Sequence, residues 1–256
     1  MKELLLDCEN EHAIYSSLSS ILNISEKNIN SVIAEYNIEE DQDILEYDLN
    51  ELILSHFESK FKIKTDYAGS FFFHFTRVMP NTTFEEGLLN YSQMIPKISS
   101  LIQMFAGISE FEINNSKIID CLHFFKKSAN ESLTGPYGFL IKDDYFFHPD
   151  NYPKYLEMPE LIEDITKCRF SSISAELMIK YKELAKPCII KFKTLKNDKA
   201  LLGSALFFLY CLFHGIQPLD NRDCNYNYDG NGISIKREDI VKVLFDPVKP
   251  KDYLFY

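Results

Sequence analysis

The chain has 256 residues, of which 46% are hydrophobic and 14% aromatic. That is enough apolar material for one sizeable core and excludes a disordered polymer. Its 27 basic residues against 38 acidic ones give a net charge of −11, so no extended nucleic-acid surface is expected.

Residues 10 to 65 read as helical, within an N-terminal subregion covering 1–66. Leu49, Leu52, Ile53, His56 and Phe57 recur at helical spacing behind Asp48 and Glu51, a capping-box-like start. The acidic run over 39–48 reads as a solvated linker or helix edge. The character changes at Ala68-Gly69, where an α+β core spanning 67–256 takes over. Phe71 to Phe75 is an aromatic strand ended by Pro80, and Thr83-Phe84-Glu85-Glu86 predicts a short capped helix stopped by Gly87. Helices are expected over 92–106 and 117–127. Gly135-Pro136-Tyr137-Gly138 then introduces a strand over 139–141, followed by a loop over 143–155 that holds His148-Pro149-Asp150.

Pro159 is placed to open a helix reaching about Lys167, with Glu157, Glu160, Glu163 and Asp164 crowded at its start, where carboxylates answer the helix dipole. Glu160 and Glu163 also qualify as a paired-carboxylate site, although a solvated helix face is the simpler reading. A helix near 175–185, a strand over 188–192 and an apolar, buried helix over 199–214 follow. After a polar, turn-rich stretch over 217–232, strands are expected at 233–235 and 240–245, the second alternating through Val241, Val243 and Phe245. Short strands scattered among helices, without regular βαβ alternation, argue for an α+β fold.

The six cysteines (Cys8, Cys121, Cys168, Cys188, Cys211, Cys224) lie scattered and form no Cys-x-x-Cys pair. They read as reduced thiols of a cytoplasmic protein. Cys211, His214 and Cys224 have a loose metal-like spacing without an evident fourth ligand, so no metal site is assigned. The apolar run Leu4-Leu5-Leu6 is too short for a signal peptide, and the apolar window over 201–213 falls short of a membrane span.

His74-Phe75-Thr76 carries the most chemistry. Two polar residues two apart on a strand share one face, where the imidazole and the hydroxyl can both meet a ligand. Arg77 faces the other way on a regular strand, and reaches a phosphate only if the chain turns before Pro80. The plainer alternative is a buried histidine satisfied by its neighbours.

A strand ending in His74-Phe75-Thr76, followed by Phe84-Glu85-Glu86-Gly87-Leu88-Leu89, resembles the opening of ADP-ribosyltransferase-like folds. DNA-targeting ADP-ribosyltransferase toxins and abortive-infection phage-resistance proteins are similar there. Gly135-Pro136-Tyr137-Gly138-Phe139-Leu140 resembles their Tyr-Gly strand. Asp220-Asn221-Arg222-Asp223, with Asp239-Ile240 further on, resembles their late acidic motif.

The resemblance implies a helical N-terminal part joined to an ADP-ribosyltransferase-like core that binds NAD. His74 and Thr76 would hold the cofactor, Tyr137 would stack on nicotinamide, and Arg77 or Arg222 would meet the diphosphate. Asp223 would be the catalytic carboxylate, stabilising the cationic sugar formed as nicotinamide leaves. Both glutamates of the family pattern are replaced, by Asn221, which supplies no charge, and by the shorter Asp223.

Two functions therefore stand side by side. One is an NAD-using transferase or NAD glycohydrolase of a bacterial phage-defence or toxin–antitoxin system. The other is a non-enzymatic, antitoxin-like regulator of such a system, whose acidic surface suits a basic partner protein. A metal-dependent nuclease built on Asp220 and Asp223 is a distant third.

Overall fold

Side-chain caps set the first helices. Asn10 accepts a hydrogen bond from the Ala13 N–H to open α1 (Glu11–Leu22), and left-handed Asn23 closes it. Ser25 opens α2 (Glu26–Glu35) in the same way, and α3 (Leu49–Lys60) follows. The computed structural model describes residues 3–36, 49–107, 135–147, 154–216 and 225–247.

The buried faces of these helices, including Ile14, Leu18, Ile29, Ile53 and Phe57, share one core with α8 (Lys199–His214). Asp198 caps α8, whose residues from Leu201 to Cys211 are all buried, as its all-round apolar sequence requires. Gly203 lets α3 and α8 approach, since a Cβ there would lie 2.4 Å from the Asn50 carbonyl oxygen.

One sheet runs in the order β5 (Asn227–Asp229), β3 (Tyr137–Phe139), β2 (Gly69–Val78), β4 (Lys186–Thr194), β6 (Ile240–Phe245). These neighbours are antiparallel, and β1 (Leu5–Leu6) adds in parallel to the start of β2. The protein is thus α+β.

The central pair is regular from Ser70 opposite Thr194 to Val78 opposite Lys186, which sets His74 across from Ile190 and Thr76 across from Cys188. Phe72 joins the helical core with Phe192, whereas Phe73 and Phe75 pack on the other face against Tyr145 of the short α5 (Asp144–Phe147). Three further helices, α4 (Tyr91–Ala106), α6 (Glu160–Arg169) and α7 (Ser174–Leu184), enclose a second core around Ile102, Ile162, Leu177 and Tyr181.

The N-terminal segment is latched to the sheet by charge. Lys191 of β4 is only 6% exposed. Its ammonium lies 2.6 Å from Asp7, 2.9 Å from Glu9 and 4.6 Å from the centre of the Phe71 ring. Glu9 also pairs with Lys242 at 2.6 Å. Burial alone would raise the Glu9 carboxyl, but its bonds to Lys242 and Lys191 outweigh that and bring it down to about 2.

Several local expectations change. Residues 83–86 form a turn rather than a helix, because Phe84 adopts a left-handed conformation (φ 57) that helical backbone does not allow. The 233–235 strand reduces to a single bridge between Leu88 and Ile235. The strand expected at 139–141 sits at Tyr137–Phe139, since the Ile141 N–H bonds the Asn225 side chain instead of a neighbouring strand. On β6, Val241 and Phe245 are exposed, whereas Ile240 enters the core and Val243 packs partly buried against it.

Cys8, Cys188 and Cys211 are free and buried, but Cys168 is disulfide-bonded, so the reading of six reduced thiols does not hold. No helix among the described residues is long and apolar enough to cross a membrane. The 117–127 helix, the 39–48 acidic run and His148-Pro149-Asp150 lie outside the described residues.

Candidate functional site

The β2–β3 ladder has one rung, Phe73 opposite Phe139. The Leu140 N–H donates to the Tyr226 carbonyl on the β5 side, so alternation turns the Tyr137 and Phe139 peptide groups towards β2. The next rung would join Tyr137 to Phe75. Instead the His74 ring reaches the Tyr137 carbonyl oxygen through Nδ1, at 2.7 Å.

The two strands part there, and the gap opens into a cleft of about 660 Å³. It is also lined by Tyr91, Met94 and Ile98 of α4, by Tyr155 and by the start of α6.

The wall between β2 and α4 is pinned by backbone geometry. Leu88 and Ile235 exchange two hydrogen bonds of 2.9 Å, and Gly87 beside them has φ +79. A Cβ on Gly87 would sit 1.9 Å from the Ile235 carbonyl oxygen, so only glycine fits this position. Asn90 caps α4 by accepting from the Gln93 N–H, and its own amide donates to the Gly232 carbonyl at 2.6 Å.

Because a carbonyl can only accept, the His74 Nδ1 carries the proton, and the neutral ring presents Nε2 as an acceptor. Burial lowers the His74 pKa below its usual value and outweighs the opposing effect of the Tyr137 carbonyl. Thr76 lines the same cleft, and its hydroxyl makes only a long 3.5 Å contact with the Arg77 carbonyl. That carbonyl accepts a stronger bond of 2.6 Å from Tyr181 Oη. A neutral imidazole acceptor and a half-buried hydroxyl, set beside aromatic rings, suit hydroxyl and amide groups on a flat ligand.

Arg77 also lines the cleft, but its guanidinium turns to main-chain acceptors: the carbonyls of Leu156 at 2.8 Å, Lys182 at 2.6 Å and Ala185 at 2.5 Å. Two of these belong to the C-terminal end of α7, where unsatisfied carbonyls attract cations. This geometry ties β2 to α7.

The structure therefore brings His74, Thr76, Arg77 and Tyr137 to one cleft, while Asp223 and Arg222 lie outside the described residues. Tyr91 and Tyr155 bear no mark in the sequence, and Glu160 reads there as part of a solvated helix face or of a carboxylate pair with Glu163; all three line the cleft. Burial first, then the charge of Glu160, raises the Tyr155 hydroxyl to about 12. Burial, Asp229 and Glu160 bring Tyr137 to about 12, and burial with Asp164 and Glu160 raises Tyr91. A local signal for Glu160 did exist: a carboxylate directly after Pro159, which supplies no side-chain cap of its own.

Among the described residues, no group of three or more His, Cys, Asp or Glu side chains could hold a metal ion. His214 instead makes a 3.0 Å contact with the Ile33 carbonyl through Nε2. No protein-family model matches the chain, and no curated protein or solved structure matches it.

Proposed function

We propose that the cleft between β2 and β3 binds NAD, and that the chain is an ADP-ribosyltransferase-like protein of a bacterial phage-defence or toxin–antitoxin system. The observation that carries this reading is the convergence of His74, Thr76 and Tyr137, 63 residues apart at the extremes, on one cleft of about 660 Å³. A cleft of that size lies within the range that encloses drug-sized ligands, roughly 300–1,000 Å³. The His74 Nε2 would accept from a ribose hydroxyl or from the nicotinamide amide, the Thr76 hydroxyl would bond beside it, and Tyr137 would stack on the ring.

Arg77 is best read as a strut, since its two terminal nitrogens already serve three carbonyls. Arg222 remains the candidate for the diphosphate, and Asp223 for the carboxylate that meets developing positive charge.

Titration calorimetry of NAD against the wild type and His74→Ala tests binding, and nicotinamide release from the same proteins tests chemistry. The reading expects saturable binding that is lost in the variant. Identical heats from both proteins would remove it.

A non-enzymatic, antitoxin-like regulator is the second reading, favoured by Asn221, which supplies no charge, and by the net charge of −11. It expects NAD binding without nicotinamide release, together with a basic partner protein that co-purifies from the host.

A further inference from the structure

We infer that the outer edge of β6 pairs with the same edge of a second copy of this chain, antiparallel about Leu244, so that one sheet runs through a dimer. The edge lies across β4 from the β2–β3 cleft, and the pairing does not depend on what that cleft binds.

The direction of the β6 peptide groups follows from the register. The Asp246 N–H donates to the Pro187 carbonyl at 2.9 Å, which makes 187 and 246 a hydrogen-bonded pair. Alternation then turns the peptide groups of Leu244 and Lys242 towards β4, opposite Ile189 and Lys191, and those of Val243 and Phe245 outwards. No strand among the described residues takes up that edge, because β6 ends the sheet. The opposite end, β5, is a polar Asn-Tyr-Asp of 3 residues and makes a poor template.

Edge strands are commonly guarded by a lysine whose charge repels an incoming strand. Here the Lys242 ammonium donates to Glu9 at 2.6 Å, so that charge is answered within the chain. The register shifts between Lys191 and Phe192 and leaves Val241 unopposed, which confines regular pairing to the stretch after it. That stretch reads Lys242-Val243-Leu244-Phe245-Asp246: a cation, three apolar residues and an anion.

This order is its own complement when reversed. A two-fold axis through Leu244 sets Lys242 across from Asp246 of the second copy, Val243 across from Phe245, and Leu244 across from its equivalent. Val243 and Phe245 are the residues whose peptide groups point outwards, so they form the hydrogen-bonded pairs. Their side chains, half-buried for Val243 and 49% exposed for Phe245, then meet as a β-branched and aromatic cross-strand pair. Asp246 is open to a new partner, with a side chain 63% exposed and 3.8 Å from Lys186. An axis through Val243 would instead lay Lys242 across from Leu244 and draw Val241 into the ladder.

One strand edge is a small interface, so a weak dimer is expected, with a Kd of about 10–100 µM. Sedimentation equilibrium of the wild type over roughly 5–500 µM, with amide hydrogen exchange followed by NMR at both ends of that range, tests it. The mass should climb from the 29.9 kDa monomer towards twice that value. Exchange at the Val243 and Phe245 amides should slow about three- to tenfold at the high concentration, while the Leu244 amide, already bonded to β4, keeps its rate. Asp246→Lys, which faces Lys242 with a second cation at both ends of the pairing, should raise the Kd about tenfold or more. Its melting temperature, measured where both proteins are monomeric, checks that the variant folds, and exchange in the wild type decides the matter if it does not.

A dimer whose Val243 and Phe245 amides exchange at the monomer rate uses another surface and overturns the inference. Protection of those amides with an unchanged Kd in Asp246→Lys overturns the pairing about Leu244. A monomer throughout overturns it as well, and leaves the edge to a strand from a different protein.

Discussion

The His74 imidazole donates to the Tyr137 carbonyl at 2.7 Å, in the position where the second rung of the β2–β3 ladder would form. One side chain thereby replaces a backbone pairing, ends the strand contact and fixes its own tautomer.

Replacing His74 with Ala leaves the Tyr137 carbonyl without its donor in a partly buried setting, which costs about 1–3 kcal/mol. Thermal or urea denaturation should show that loss, and NAD binding should fall beyond detection. His74→Gln keeps a donor and should recover part of the stability.

The same residue gives a pH signature. The folded His74 pKa lies below the ordinary 6.5, so the unfolded chain takes up the proton first. The stability linked to its neutral form is complete above about 6.5 and is lost as the pH falls. Wild-type denaturation between pH 7.5 and 5.5 should therefore show a decline that His74→Gln does not share. Parallel curves would contradict it.

Arg77→Lys retains the charge but cannot span the carbonyls of Leu156, Lys182 and Ala185. A loss of about 2 kcal/mol is expected from the missing charge-assisted bonds. Ligand affinity, measured well below the melting temperature, should change less than about threefold. A large drop in affinity with stability intact would instead return Arg77 to the diphosphate.

Gly87→Ala meets two obstacles at once, a left-handed backbone (φ +79) and the Ile235 carbonyl oxygen 1.9 Å from the new Cβ. Either the Leu88–Ile235 bridge opens or the chain strains, at a cost of about 2 kcal/mol or more. Hydrogen exchange at the Leu88 and Ile235 amides should accelerate in the variant while the β2–β4 amides stay protected.

Lys191→Met removes the cation shared by Asp7 and Glu9 and should destabilise the fold by about 3 kcal/mol, as expected when one member of a buried ion network is lost. Glu9 has the opposite pH character to a group with a raised pKa. Its folded value of about 2 lies below the ordinary 4.5, so its contribution is present above 4.5 and disappears as the pH falls towards 2. Acid denaturation of Glu9→Gln should accordingly show a shallower dependence over that range.

The elements legible in the sequence are those fixed locally. The aromatic run of β2, the helix beginning behind Pro159 and the apolar α8 follow from propensity and periodicity over a few residues. Phe84 departs from the helix that its capping-box chemistry suggests, because the turn lies beside the bridge from Leu88 to Ile235, far along the chain. The cleft was only half legible. His74 and Thr76 share a face by simple alternation, whereas the partner of His74 lies 63 residues away and those of Arg77 lie 79 to 108 residues away. Tyr91 and Tyr155 carry no local mark, because a tyrosine in a helix or loop looks the same whether or not a cleft passes beside it.

The parting of β3 from β2 after Phe73 has a bearing on how such a protein can change over time. Alternation along β2 aims the peptide groups of Phe75 and Arg77, rather than only side chains, into the opening. A pocket whose floor is main chain keeps its hydrogen-bonding pattern through most point substitutions. Drift in the side chains would then retune how strongly a ligand is held and whether it reacts, while changing the kind of ligand would need an insertion, a deletion or a slipped strand.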